Sequence, residues 1–138
     1  MTNLNHEKLK QTKGFVFDMD GTLILGDKKN NNMNTLPGAA EFITLLRENN
    51  IPYVVMTNGT ARSPRDYVKV LSEAGIPMDD STMMTPSSVA AEYLVQQGYK
   101  RVMVLGCPGA WEPLAELGLD VVLSSIEDPG PVDAVYIG

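Results

Sequence analysis

Two aspartates separated by a single residue are the strongest candidates in this sequence for catalytic or metal-binding side chains. Asp18 and Asp20 stand in the segment FDMDGT, at the end of and just after the apolar run GFVFD at residues 14–18. Two carboxylates this close repel each other, and the pair is most stable when a cation neutralises both or one stays protonated. Hard oxygen ligands suit Mg²⁺. The pair of Asp18 and Asp20 is therefore a candidate magnesium site, with a protonated carboxyl as the alternative.

The same two carboxylates suit different steps of a phosphoryl transfer. Asp18, at the rigid end of a strand, can attack phosphorus to form an aspartyl-phosphate. Asp20, in the turn, can protonate the leaving group and then activate water. Gly21 supplies the conformational freedom that a sharp turn requires. The alternative is that Asp-x-Asp-Gly only begins a turn, since Asp and Gly are common turn residues.

A polar segment follows the next apolar run. PYVVMT at residues 52–57 has no polar alternation, as expected for a strand buried on both faces of a parallel sheet. It leads into TNGT at residues 57–60. A hydroxyl, an amide side chain and main-chain N–H groups are neutral donors for phosphoryl oxygens. We predict that Thr57, Asn58 and Gly59 bind phosphate, and the alternative is an ordinary turn.

Strand and helix patterns alternate along the chain. Short apolar runs predict strands at 14–18, 52–57, 82–85, 101–106, 120–123 and 133–138. Apolar residues at helical spacing, or a proline after a capping residue, predict helices that begin near Ala39, Pro64, Pro86 and Pro108. The alternation predicts an α/β fold, a Rossmann-like parallel sheet with helices on its faces. Both polar segments then fall at the carboxyl edge of that sheet, where α/β proteins build their sites.

One long link interrupts this alternation, at residues 19–36. Links of this length in a compact domain are commonly functional or disordered. We expect Leu23–Gly26 to begin a small flap beside the end of the first strand, with the Asn-rich residues 28–34 at its tip. An uninvolved polar insertion is the alternative for the Asn-rich part.

Composition and charge narrow the class of protein. Eleven Lys and Arg against 17 Asp and Glu give a net charge of −6, which disfavours nucleic-acid binding by bulk positive charge. No apolar run approaches the roughly 18 residues of a membrane span, and residues 1–13 lack the apolar core of a secretory signal. Cys107 is the single cysteine and has no histidine nearby, which makes it a weak candidate nucleophile. We expect a cytoplasmic protein without nucleic-acid or membrane partners.

The segments FDMDGT and VVMTNGT together resemble the first two motifs of the haloacid dehalogenase superfamily of phosphohydrolases. RSPRDYVKVLSEAGIP, MMTPSSVAAEYL and RVMVLG resemble its p-nitrophenylphosphatase and nucleotide monophosphatase-like branch, in which a large cap follows the second motif. The resemblance implies that Asp18 is the nucleophile and a Mg²⁺ ligand, and that Asp20 is the acid and base and binds the metal through its carbonyl. Thr57, helped by Asn58, would hold the phosphoryl group. The implied activity is Mg²⁺-dependent hydrolysis of small phosphate monoesters, nucleotides or sugar phosphates, through an aspartyl-phosphate.

The family also uses a lysine from a third motif and a further acidic motif, and neither is found in this sequence. Lys100, the only lysine after Lys69, precedes a predicted strand and so falls at the edge opposite Asp18. Losing one charge that stabilises a phosphoryl transition state commonly costs about two powers of ten in rate, so we expect little or no turnover from these residues alone. The ending VDAVYIG, within an expected cap strand, indicates part of a longer enzyme, whose unfinished sheet edge is open to homo-oligomer formation.

Three regions are expected: a polar tail at 1–13, the N-terminal part of the hydrolase core at 14–98 and the beginning of a cap at 99–138. The main alternative to an enzyme is a catalytically dead phosphate-binding or regulatory fragment. A receiver-like domain phosphorylated on Asp18 is a weaker alternative, because the further acids and the late lysine of receivers are not found. A dinucleotide-binding fold is excluded, because no G-x-G-x-x-G follows the first strand.

Overall fold

A computed structural model describes residues 11–27, 32–126 and 128–138. Within these ranges the chain has four α-helices and eight β-strands, and the strands form three small sheets. The strands are β1 Phe15–Asp18, β2 Ile24–Asp27, β3 Asn32–Thr35, β4 Tyr53–Met56, β5 Met83–Met84, β6 Arg101–Leu105, β7 Asp120–Leu123 and β8 Ala134–Ile137. The helices are α1 Ala39–Glu48, α2 Pro64–Glu73, α3 Pro86–Gln96 and α4 Pro108–Glu116.

The first sheet is parallel and runs in the order β1, β4, β5. Asp18 pairs with Met56 at the end of β1 and β4, so the two strands finish together. The strand that the sequence predicts at 82–85 is limited to the two residues of β5, because a short 3₁₀ turn at Asp80–Thr82 includes its first residue. The carboxyl ends of β1 and β4 therefore form one edge.

One hydrophobic cluster joins this sheet to α1 and α2. Ile43 and Leu46 from α1 and Leu71 from α2 are almost fully buried against Val55 of β4. The helical spacing of apolar residues in α1 predicts this buried stripe, and Asn50, with a φ of 52°, ends the turn that closes the helix. The packing fixes the direction in which β4 delivers the residues that follow it.

The second sheet is also parallel, in the order β7, β6, β8. Its core is a separate cluster in which Val102 and Val104 pack with Ala110 and Leu114 of α4. Helix α3 contributes Ala91 and Leu94 to the same cluster, although it precedes residue 99, and Trp111 packs at its margin. The domain limits at 98 and 99 stay a prediction.

An antiparallel hairpin of β2 and β3 stands where the sequence predicts a flap. Its base is anchored by Leu23 and Ile24, which are 3% and 0% exposed. Of the predicted tip at 28–34, residues 32–34 belong to β3, whereas residues 28–31 lie outside the described residues, as do residues 1–10 of the polar tail and Glu127. No helix in the part of the chain that the structure describes combines the length and apolarity of a membrane span.

Candidate functional site

The two aspartates flank a buried residue at the end of β1. Met19 is 1% exposed, and its N–H donates to the Met56 carbonyl at 3.0 Å, which continues the pairing of β1 with β4. Asp18 and Asp20 on either side of it are exposed. The buried methionine thus fixes the backbone while both carboxylates face solvent at the carboxyl edge.

A tight turn follows Asp20 and closes around the Met19 carbonyl. The N–H groups of Leu23 and Ile24 donate to that carbonyl at 3.0 and 3.2 Å, and the Gly21 N–H donates to the Ile24 carbonyl at 2.8 Å. Gly21 has a φ of 79°, in the left-handed region that favours glycine. The turn that the sequence predicts at Gly21 is confirmed, and it holds Asp20 beside the strand end.

Thr57 is anchored by its backbone and by its hydroxyl. It is 8% exposed, and its N–H donates to the Met84 carbonyl at 3.1 Å. Its Oγ1 accepts from the Gly59 N–H at 3.0 Å. Because Oγ1 is the acceptor in that bond, the hydroxyl hydrogen of Thr57 is left to donate elsewhere. The Gly59 N–H, by contrast, is used within the loop.

The residues on either side of Gly59 keep donors available. The Asn58 side chain is exposed, and among the described residues neither the Asn58 nor the Thr60 N–H donates to a main-chain carbonyl. N–H groups at a strand end that lack a protein partner are suited to phosphoryl oxygens. The loop 57–60 therefore offers a hydroxyl, an amide side chain and main-chain donors, while Gly59 contributes shape.

The sheet register brings the two halves of the site together. Asp18 pairs with Met56, and Thr57 is the next residue after Met56. Neighbouring strands lie about 4.8 Å apart, so Asp18 and Thr57 occupy adjacent positions on one edge. The structure thus gathers the residues that the sequence singles out, and their chemical roles stay predictions.

Tyr67 is a buried neighbour of the loop that the motifs do not reveal. It is 4% exposed, and a Cβ placed on Gly59 would come within 2.3 Å of its hydroxyl oxygen. Burial raises the pKa of Tyr67, and the charge of Asp20 raises it further, against the lowering effect of Arg62. Asp20 is therefore within electrostatic range of a hydroxyl that borders the loop.

Helix geometry is the signal that could have found Tyr67. Side chains on an α-helix lean toward its N-terminus, and Tyr67 lies one turn into α2. The helix begins as the sequence predicts, with Pro64 at its first position and with the Ser63 Oγ accepting from the Asp66 N–H. A large side chain at this place is directed back toward the loop that precedes the helix.

The start of α4 packs on the backbone that follows the loop. A Cβ on Gly109 would lie 2.4 Å from the Arg62 nitrogen, so the approach requires glycine. The Cys107 Sγ donates to the Thr60 carbonyl at 3.2 Å. The fully buried Ser87 Oγ donates to the Gly109 carbonyl at 2.6 Å. Residues at the starts of α3 and α4 thus hold the loop from outside the first sheet.

The Asp18 carboxylate and the Asp20 main-chain carbonyl at the end of β1 are hard oxygen donors of the kind that suits a hard cation. In the part of the chain that the structure describes, no group of three His, Cys, Asp or Glu side chains could hold a metal ion. Mg²⁺ is commonly bound by one or two carboxylates and completes its shell with water and phosphate oxygens. The donor set therefore fits Mg²⁺ and provides part of its shell.

A groove of about 810 Å³ lies at the opposite, amino-terminal edge of the first sheet. It is bordered by the ion pair of Arg47 with Asp79, at 3.5 Å. The hydroxyl of Tyr53 at this groove is buried and has no hydrogen-bond partner. Of the described residues that line this groove, Arg47 is the only Lys or Arg, and it is already paired with Asp79.

An α/β fold with two carboxylates and a loop of neutral donors at one sheet edge is the arrangement of a Rossmann-like phosphohydrolase. A family model described as haloacid dehalogenase-like hydrolase matches residues 15–120. The chain belongs to this family, so the resemblance drawn from the motifs and the predicted α/β fold are confirmed.

Known phosphatases are similar to most of this chain. The acid sugar phosphatase of Staphylococcus haemolyticus is 30% identical over 131 residues, which are 94% of this chain and 46% of that protein. The crystal structure of 4-nitrophenylphosphatase from Thermotoga maritima has a TM-score of 0.76 and 30% identity, over 94% of this chain and 46% of that one. The glycerol phosphate phosphatase of Mycobacterium tuberculosis, in complex with calcium, has a TM-score of 0.73 and 25% identity, over 94% and 35%. The chain thus spans about half the length of the curated relatives it matches.

Proposed function

We propose that this chain carries the nucleophile and the phosphate-binding loop of a phosphatase for small phosphate monoesters. In this proposal an Asp18 carboxylate oxygen bonds to phosphorus as the bond to the leaving alcohol breaks, and Asp20 gives that alcohol its proton. Asp20 then takes a proton from the water that hydrolyses the aspartyl-phosphate. The observation that carries the proposal is the presence of two exposed carboxylates and the Thr57 hydroxyl on adjacent strand ends.

Thr57 and Asn58 hold the phosphoryl group in this proposal. Two hydrogen bonds already fix Thr57, through its N–H and its Oγ1, so its hydroxyl needs little reorganisation when charge develops on a phosphoryl oxygen. Donors fixed in advance are the most effective ones in transition-state stabilisation. Gly59 shapes the loop so that its neighbours face the same oxyanion.

Mg²⁺ would be held by the Asp18 carboxylate and the Asp20 main-chain carbonyl. When bound, it supplies positive charge that offsets the repulsion between the carboxylates and the phosphate ester. The type of donor supports this assignment, because both ligands are hard oxygens. The relative from Mycobacterium tuberculosis was solved with calcium, which is also a divalent cation with oxygen ligands.

The proposed substrates are small phosphorylated metabolites, either a sugar phosphate or a nucleotide. The relatives are named for a sugar phosphate, a 4-nitrophenyl ester and a glycerol phosphate. Their names have the phosphate monoester in common and differ in the alcohol. The donors at residues 57–60 likewise suit the phosphate group. Selectivity for the alcohol would therefore come from other parts of the protein.

A hydrolysis assay on the 138-residue chain tests this function. The substrates are 4-nitrophenyl phosphate, a hexose phosphate and a nucleoside monophosphate, each with Mg²⁺ and with a chelator. We expect at most weak Mg²⁺-dependent phosphate release, which Asp18→Asn lowers to background. Asp79→Asn, at the opposite edge, is the matched control and should keep the wild-type rate. Equal release by wild type and Asp18→Asn would contradict the proposal.

Phosphate binding without turnover is the second candidate. It is favoured because no third acidic side chain joins the site within the described ranges, and because Lys100 stands before β6, where its N–H donates to Asp133 at 2.8 Å. Orthophosphate that raises the melting temperature, with no ester hydrolysed at saturating Mg²⁺, would support this candidate. Hydrolysis that depends on Asp18 would exclude it.

A further inference from the structure

Gly59 and the Tyr67 hydroxyl meet behind the loop 57–60. A Cβ built on Gly59 would lie 2.3 Å from the Tyr67 hydroxyl oxygen, 3.3 Å from Tyr67 Cζ and 3.3 Å from Thr57 Oγ1. The first distance is far inside van der Waals contact, whereas the other two are tight contacts that small shifts relieve. The hydroxyl therefore occupies the space that a side chain at position 59 would need, and without it only the two tight contacts at 3.3 Å would be left.

Burial and several contacts hold Tyr67 in its place beside Gly59. It is 4% exposed, and its N–H donates to the Ser63 carbonyl at 3.0 Å within α2. The Arg62 guanidinium lies 5.9 Å from the centre of its ring, a cation–π distance. Burial raises the pKa of Tyr67, so its hydroxyl stays protonated and uncharged near neutral pH. The loop thus rests against a buried hydroxyl that is uncharged near neutral pH.

A hydrogen bond connects Gly59, which packs against Tyr67, to the Thr57 hydroxyl of the candidate site. The Gly59 N–H donates to Thr57 Oγ1 at 3.0 Å and so orients the Thr57 hydroxyl. A shift of the backbone at residue 59 would lengthen that bond, since hydrogen bonds weaken steeply with distance and angle. The place of Gly59 against Tyr67 therefore bears on the direction in which Thr57 donates.

We propose that Tyr67 is a positioning residue for the phosphate site. Its hydroxyl fills the space beside Gly59 and so sets the loop conformation in which Thr57 and Asn58 present their donors. This inference rests on the proposed function, because it concerns the loop that receives the phosphoryl group. Tyr67 acts through Gly59 and does not contact the substrate.

A double-mutant cycle of Gly59→Ala and Tyr67→Phe tests the inference. The measurement is the affinity of the whole chain for inorganic phosphate with Mg²⁺, by calorimetry, together with each melting temperature. We expect Gly59→Ala to weaken binding at least about tenfold, Tyr67→Phe about threefold, and the double variant to return to within about threefold of wild type, as expected for contacting groups. The recovery has a direct cause, because removing the hydroxyl makes room for the methyl group.

Tyr53→Phe is the matched control for this cycle. It removes another buried tyrosine hydroxyl, at the opposite edge of the same sheet, and should leave phosphate affinity unchanged. Losses that simply add in the double variant would overturn the inference. A Tyr67→Phe chain with a lower melting temperature and unchanged affinity would also overturn it, because the residue would then serve only the core.

The experiment separates this inference from the proposed function. If the wild-type chain binds no phosphate, the proposed function fails, and the amide resonances of Thr57, Gly59 and Thr60 in NMR spectra still report the loop conformation. Shifts caused by Gly59→Ala that Tyr67→Phe reverses would support the positioning role. Shifts that add would contradict it.

Discussion

The two halves of the candidate site share one sheet edge but are held there in different ways. Asp18 and Asp20 are exposed and take their place from the backbone on either side of buried Met19. The loop 57–60 is packed from two sides, by Tyr67 of α2 and by the start of α4. The comparison suggests that charged groups need mainly a rigid strand end, since Coulomb forces fall off slowly with distance. Neutral donors need built surroundings, because a hydrogen bond depends on angle and distance.

The largest expected effect comes from breaking the carboxylate half with Asp18→Asn. Any Mg²⁺-dependent turnover of the chain should fall to the background rate, because the nucleophile is removed. Stability should change by less than about 0.5 kcal/mol, because the side chain is exposed and buries nothing. Hydrolysis rates and thermal melts of the same samples check both halves of this expectation. A marked fall in melting temperature would show that the carboxylate is structural.

The loop half should respond in the opposite way to Gly109→Ala. A Cβ at this position would lie 2.4 Å from the Arg62 nitrogen, where backbone has to move. We expect a loss of about 3 kcal/mol in the free energy of unfolding, as for overpacking of a close contact, together with weaker phosphate binding. Urea denaturation and calorimetry measure the two effects. Gly26→Ala is the control, since a Cβ there meets nothing within 4 Å; an equal loss in both variants would contradict the contact.

A smaller effect is expected from Ser87→Ala, which acts on the loop one step further away. The Ser87 Oγ donates to the Gly109 carbonyl at 2.6 Å and is fully buried. Its loss leaves a buried carbonyl without this donor, which costs about 1–3 kcal/mol. The free energy of unfolding from urea titrations checks this, with Ser81→Ala at an exposed site as control. Indistinguishable values would mean that the bond contributes nothing to folding.

The smallest effect concerns Asp133, far from the loop. Its Oδ2 accepts from the N–H groups of Lys100 and Arg101 at 2.8 and 2.9 Å, and these bonds, that of Arg101 first, hold the pKa of Asp133 below its ordinary 3.8. A lowered carboxyl pKa stabilises the fold above the ordinary value and loses that effect as the pH falls through the lower one. The melting temperature of Asp133→Asn should therefore be slightly below wild type near neutral pH, and the gap should close in acid. Phosphate affinity should not change.

The sequence predicts the carboxylate half of the site and much less of the other half. An apolar run followed by Asp-x-Asp-Gly places Asp18 and Asp20 at a strand end by local rules alone, and Ser63 with Pro64 predicts the start of α2 in the same way. The contacts of Gly59 with Tyr67 and of Gly109 with Arg62 depend on tertiary packing. Neither glycine carries a local signal for such a close approach.

Packing between segments also explains the differences in the fold. Helix α3 precedes the predicted cap limit, yet its Ala91 and Leu94 pack in the second cluster. The cluster that a helix joins depends on the surface against which its apolar face packs, and not on its place in the chain. The strand predicted at 82–85 keeps only Met83–Met84, because Thr82 belongs to the 3₁₀ turn and Thr85 caps α3. Composition alone could not decide either outcome.

Three helices begin around the loop 57–60, each with proline in its first turn. Helix α2 follows the loop directly. Helix α3 starts just after Met84, whose carbonyl accepts from the Thr57 N–H. Helix α4 starts just after Cys107, whose Sγ donates to the Thr60 carbonyl. The N-terminus of a helix carries roughly half a positive charge from its peptide dipoles. In a chain with a net charge of −6, these three N-termini place partial positive charge of the backbone near the loop. Peptide dipoles have no pKa, so this contribution does not change with pH as long as the helices stay folded.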